Sequence, residues 1–102
     1  MINSIARLPA VLTARGTSRS SHYTDIQQGL WTKPVMISDR SVGWPTYEVE
    51  AINAARIAGM TKDEIRKLVA DLEAQRKTRL DALRGEHQDR QSISEEEAAS
   101  DD

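Results

Sequence analysis

Arg19, Tyr23 and Gln27 recur at i, i+4 and i+8, with Ser20 and Thr24 between them, so a helix over this stretch gathers donors, acceptors and an aromatic edge on one face. A guanidinium, a carboxamide and two hydroxyls can match the hydrogen-bonding edges of DNA bases. The surrounding residues predict the element that would carry them. Ser18 can accept from the free N–H groups of a first turn, and Gly29 can supply the left-handed residue that ends a helix. Upstream, Leu8, Val11 and Leu12 form an apolar i, i+3, i+4 stripe on a second short helix that Pro9 opens and that ends near Arg15. Gly16 falls in the tight link between the two, which is the layout of a helix-turn-helix.

Other chemistries find little support. Ser18 and His22 share a helix face, but capping claims Ser18, and no glycine-rich phosphate loop or oxyanion device is present, so no catalytic residues and no enzyme are expected. Cysteine is absent, which excludes disulfides and thiolate metal sites and fits a reducing cytoplasm. His22 and His87 lie far apart without a ligand cluster, so neither a metal nor a cofactor is expected. His22 reads as a half-buried histidine paired with Asp25. No run of about 18 apolar residues occurs, so no membrane span or export signal is expected and the predicted location is cytoplasmic.

The formal net charge of −2 conceals a division along the chain. Residues 1–45 carry Arg7, Arg15, Arg19, Lys33 and Arg40 against Asp25 and Asp39, while Glu95, Glu96, Glu97, Asp101 and Asp102 make the last stretch acidic. Phosphate neutralisation depends on the local patch, so this division favours a nucleic-acid partner for the N-terminal half.

Beyond Gly29 the pattern changes. Val35, Ile37, Val42 and Trp44 alternate on either side of Ser38-Asp39-Arg40-Ser41, which predicts a β-hairpin with Pro34 at its start and Arg40 near its tip. Trp31 and Trp44 bracket it as anchors. A third helix is expected over residues 46–58, with Ala51, Ala54, Ala55 and Ala58 on one side and Val49 and Ile52 on another. Gly59 closes it, and Thr61 and Glu64 form the capping box of a fourth. That helix carries Ile65, Leu68, Val69, Leu72, Leu80 and Leu83, and Arg76 interrupts the stripe, so its second half is expected to be exposed or paired with a partner. From Gln88 onward the composition is too polar to offset ordering entropy. The expected organisation is a DNA-binding domain over 1–60, a helical extension over 61–88 and a disordered acidic tail over 89–102.

The order Arg7-Leu8-Pro9, Ser18-Arg19-Ser20-Ser21 with Tyr23 and Ile26, Gly29, Lys33-Pro34-Val35, Arg40, and Val42-Gly43-Trp44 ahead of Glu48-Val49-Glu50 resembles the AlpA-like prophage regulators. The resemblance covers roughly residues 5–60. It implies a mainly α, winged helix-turn-helix fold, related to excisionases and MerR-type DNA-binding domains, with the second helix in the major groove and the hairpin as a wing. Carried over residue by residue, Arg19, Ser20, Tyr23 and Thr24 match helix positions that face DNA, and Lys33, Arg40 and Ser41 match the wing. With Ser18 at the cap and Gln27 on the same face, these make up the expected DNA-binding set.

The function that follows is sequence-specific binding of double-stranded DNA by a prophage or mobile-element transcription regulator. An excisionase-like factor that bends DNA in recombination is the nearest alternative, and a protein-binding adaptor using the fourth helix is the alternative of another class. Expected partners are duplex DNA, a second copy forming a homodimer or cooperative oligomer on it, and an integrase or the transcription machinery.

Overall fold

Pro9 sits in the first turn of helix α1 (Leu8–Arg15), where its missing N–H costs nothing. Gly16 ends it with φ +68°, a conformation that glycine adopts without the penalty other residues meet. Its N–H donates to the Leu12 and Thr13 carbonyls, and Thr17 N–H also reaches Leu12 O, so the chain turns within two residues. Helix α2 (Arg19–Gln27) then starts on Ser18, whose Oγ accepts from the Ser21 N–H at 3.2 Å.

In the computed structural model, residues 4–91, 93–95 and 100–101 are described, with side chains over residues 4–84. Among them the chain is mainly helical, with four helices and a small three-stranded antiparallel sheet. Strand β1 (Ile5–Arg7) precedes α1, and strands β2 (Val35–Ser38) and β3 (Ser41–Pro45) form the hairpin. Helix α3 (Thr46–Ile57) follows directly, and helix α4 (Lys62–Gln91) starts on the expected capping box. There Thr61 N–H donates to Glu64 Oε1 at 2.8 Å, and Glu64 N–H to Thr61 Oγ1 at 3.2 Å. Of the tail expected to be disordered, residues 92, 96–99 and 102 lie outside the described residues. Of it, the last turn of α4 and the short strands β4 (Ile93–Glu95) and β5 (Ser100–Asp101), paired antiparallel, are described.

Strand order is β1-β3-β2, and β1 is an element that the sequence patterning did not predict. Three residues were too few for an alternation signal. Register pairs Arg7 with Gly43 and Val35 with Gly43, so both edge strands meet across one glycine of the central strand. A Cβ built at Gly43 would lie 2.6 Å from Ile5 Cγ2 and 2.7 Å from the Ala6 carbonyl oxygen. Only glycine admits that approach. The hairpin does not keep the simple alternation expected of it. Register shifts between Met36 and Ser38, which leaves Ile37 as the extra residue of a bulge.

One apolar core joins all four helices and the sheet. Val11 comes from α1, Leu30 and Trp31 from the linker after α2, Trp44 from β3, Val49, Ile52 and Ala55 from α3, and Ile65, Val69 and Leu72 from α4. Both tryptophans are buried as expected, and Trp44 Nε1–H donates to the Thr32 carbonyl at 2.8 Å. Of the two sides of α3, the one that packs is led by the larger side chains: Val49, Ile52 and Ala55 turn inward, while Ala54 and Ala58 are exposed. The larger side chains bury more apolar area per residue and set the orientation. Asn53 adds one tie, its Nδ2 donating to the Ala14 carbonyl at 3.1 Å. Among the described residues no helix is long and apolar enough to cross a membrane.

Candidate nucleic-acid interface

Helix α2 divides cleanly by exposure. His22 is fully buried and Ile26 packs against the core, whereas Arg19, Ser20, Thr24 and Gln27 are exposed and Tyr23 is half-buried between the two sides. The outward face is therefore the one on which the spacing placed Arg19, Tyr23 and Gln27. The Arg19 guanidinium lies 5.9 Å from the centroid of the Tyr23 ring, at the outer limit of a cation–π contact. Ser18 is exposed, but its hydroxyl is engaged in the cap, also donating to Ser21 Oγ at 3.1 Å.

The hairpin residues are placed differently from one another. Arg40 stands in the two-residue turn between β2 and β3 and is exposed. Ser41 begins β3, half-buried, and accepts from Arg7 Nη2 at 3.2 Å, so the strand missed in the sequence brings a further basic residue beside the hairpin tip. Lys33 precedes β2. Its side chain is exposed, but both its backbone groups are held by α4: Lys33 N–H donates to Glu73 Oε2 at 2.8 Å, and its carbonyl accepts from Arg76 Nη2 at 2.7 Å.

Behind α2 lies a polar centre that the sequence did not disclose. The Arg15 side chain is 3% exposed, stacks 4.0 Å from the Trp31 ring centroid and pairs with Asp25. Its Nη1 lies 2.7 Å from His22 Nδ1. Because a guanidinium can only donate, Nδ1 must accept, and the ring proton sits on Nε2. The expected His22–Asp25 pair is thus corrected. Arg15 from α1 stands between them, a contact across the Gly16 turn that no helical spacing reveals.

His22 packs edge to face with Trp44, centroids 4.7 Å apart, and with Tyr23 at 5.2 Å. Desolvation, reinforced by the Arg15 charge, lowers its pKa to about 4, so it is neutral under ordinary conditions. Burial also pulls the Arg15 guanidinium below its usual value, against the opposing pull of Asp25.

A second buried ion pair fixes α4. Glu48 is fully buried and receives two hydrogen bonds of 2.7 Å from Arg76, through Nε and Nη2. The hydrogen bond to Glu48 raises the Arg76 pKa further and outweighs desolvation. Arg76 therefore does not mark a free segment of α4. The helix stays docked this far, and Arg79 continues the contact by stacking 4.1 Å from the Tyr47 ring centroid. Beyond it Leu80 and Leu83 are 48% and 65% exposed, as the interrupted stripe predicted.

Arginines also hold the 28–33 linker from behind. Arg66 Nε donates to the Gln28 carbonyl at 2.9 Å, Arg56 Nη2 to the Leu30 carbonyl at 3.3 Å, and Arg76 Nη2 to the Lys33 carbonyl at 2.7 Å. Each satisfies a carbonyl that helix or strand pairing leaves without a partner.

Residues 4–57, more than half of the chain, match the sequence profile of the family described as Prophage CP4-57 regulatory protein (AlpA). The chain belongs to the AlpA family of prophage regulatory proteins. No curated protein and no solved structure matches it. The AlpA match spans β1 to the last residue of α3, and so includes both the exposed face of α2 and the hairpin tip.

Proposed function

We propose that this AlpA family member is a winged helix-turn-helix regulator that binds duplex DNA in a sequence-specific way, with α1, the Gly16 turn and α2 as the helix-turn-helix and the β2–β3 hairpin as the wing. The observation that carries this reading is the outward face of α2. It presents Arg19, Ser20, Thr24 and Gln27 to solvent while His22 and Ile26 anchor the opposite side. A helix held from one side and polar on the other fits a major groove, where Arg19 can address the guanine O6 and N7 acceptors and Gln27 the adenine edge. Tyr23 borders that surface, and Ser18 orients its first turn. Lys33, Arg40 and Ser41, joined by Arg7, supply backbone contacts from the hairpin side. Leu80 and Leu83, exposed on α4, favour association of two copies on adjacent half-sites.

The test contrasts two cations. Arg40→Ala should weaken binding to all duplexes alike and reduce the slope of log affinity against log salt by about 0.9, the share of one phosphate contact. Arg19→Ala should instead remove about 1–3 kcal/mol of discrimination at one base step and leave binding to a scrambled duplex nearly intact. Quantitative binding to a selected site and a scrambled duplex checks both. An equal loss on both duplexes for Arg19→Ala would overturn the assignment of α2 as the reading element.

A further inference from the structure

Gln27 lies in the last turn of α2, where a helix normally frays, and it is also the residue best suited to read adenine. Recognition of a base edge tolerates only about 0.5 Å and 10–20° of error, so something must hold this turn. Within the helix end, the carbonyls of Thr24, Asp25 and Ile26 accept from the N–H groups of Gln28, Leu30 and Gly29. The Gln28 carbonyl is taken from outside, by Arg66 Nε at 2.9 Å.

Arg66 is itself held in place. Its Nη1 donates to Asp63 at 3.1 Å, and its stem runs over Gly29, where an added Cβ would meet Arg66 Cγ at 3.7 Å. The turn of α4 that carries it is fixed by the Thr61–Glu64 capping box and by Ile65, buried in the core. A continuous path therefore runs from the core through Ile65 and Arg66 to the Gln28 carbonyl and the residue before it. Arg66 lies outside residues 4–57 that match the family.

We propose that Arg66 is a positioning residue for base recognition, which through the Gln28 carbonyl fixes the last turn of α2 and the Gln27 carboxamide against DNA. The inference rests on the reading of α2 as the recognition helix. It makes α4 part of the specificity apparatus without placing it in a groove. Because the contact reaches only the end of α2, its loss acts locally: Arg19, two turns away beside the Ser18 cap, keeps its geometry.

The experiment is selection from a randomised duplex library with full-length wild type, Gln27→Ala, Arg66→Ala and Arg66→Lys, accompanied by thermal denaturation of each protein. Arg66→Ala is expected to lose about ten-fold of its enrichment at the same base step that Gln27→Ala relaxes, with preference at the Arg19 step and the salt slope unchanged. Arg66→Lys, which keeps one donor, should recover part of it. An unchanged Arg66→Ala profile overturns the proposal. So does a uniform loss at every step, whether it comes with a salt slope smaller by about 0.9, the mark of a direct phosphate contact, or with a lowered melting temperature. A Gln27→Ala profile identical to wild type overturns it while leaving the Arg19-based reading standing. Failure of the wild type to enrich any sequence removes both.

Discussion

The arginines behind α2 and those in front of it are the same chemical group in opposite surroundings. Arg15 is buried with Asp25 and His22, and Arg76 pairs with the fully buried Glu48, whereas Arg19 and Arg40 stand exposed on α2 and at the hairpin tip. Charge alone does not tell them apart. Of the five basic residues among the first 45, Arg15 is already neutralised inside the protein, so the exposed positive charge of this stretch rests on Arg7, Arg19, Lys33 and Arg40. A guanidinium that is desolvated and bound to a carboxylate acts on stability, and one in water acts on association. Substitutions on the two sides should therefore fall into two separable classes.

The largest effect is expected at Arg76. Removing it leaves the Glu48 carboxylate buried without a cation, and breaking a buried pair on one side costs about 3–5 kcal/mol. Arg76→Met should lower the denaturation midpoint accordingly. Glu48→Leu combined with Arg76→Met should recover most of the loss, because two apolar residues can replace a buried pair. Recovery will stop short of wild type by about 1 kcal/mol, since Arg76 also satisfies the Lys33 carbonyl. Chemical denaturation of the single and double variants measures both quantities. A double variant as unstable as Arg76→Met would show that the pair contributes beyond charge compensation.

A smaller effect, with its own signature in pH, is expected at His22. Its folded pKa is about 4 against an ordinary 6.5, so between these values the unfolded chain binds the extra proton and stability falls as pH falls. The contribution is fully present above the unfolded value and is lost through the window from 6.5 down to about 4. From pH 7 to pH 5 the loss should be about 2 kcal/mol. Wild type should show this excess pH dependence over His22→Gln in urea unfolding at the two pH values. Equal pH dependence in the two proteins would mean that protonated His22 finds a partner in the fold.

Much of this architecture was legible in the chain, and the parts that were not share one cause. Caps, glycine stops, the Leu8-Val11-Leu12 stripe and the exposed face of α2 are local features, set by residues within four of each other. The buried polar centres are made by residues distant in sequence: Arg15 with Asp25 across a turn, Glu48 with Arg76 across two helices. One signal was available. Glu48, Ile52 and Ala55 share a stripe on α3, and Ile65, Val69, Leu72 and Arg76 share one on α4, so each apolar face is interrupted by one charge of opposite sign. Two complementary interruptions on stripes that must both be buried predict a pair, whereas Arg76 taken alone suggested only an exposed segment. The β1 strand and the Ile37 bulge carried no such mark, because three-residue pairing and register slip depend on the partner strand.

The smallest effect on stability is expected where the effect on binding is largest. Arg19 and Arg40 are exposed, and neither takes part in an ion pair among the described residues. Replacing either by alanine removes no buried contact and leaves no carboxylate uncompensated, so the change in unfolding free energy should stay within about 0.5 kcal/mol. Arg19 also lacks an essential role in starting its helix, since the cap is made by Ser18 and the inward side is anchored by His22 and Ile26. Its weak approach to the Tyr23 ring adds little in water. Thermal denaturation of Arg19→Ala and Arg40→Ala beside wild type, in the buffers used for DNA binding, checks this directly. Indistinguishable melting curves together with lost base preference would place the Arg19 side chain on the binding side of the division. A marked drop in melting temperature would mean that Arg19 belongs, like Arg15 and Arg76, to the fold, and that any loss of DNA affinity in that variant reports unfolding and not a lost contact.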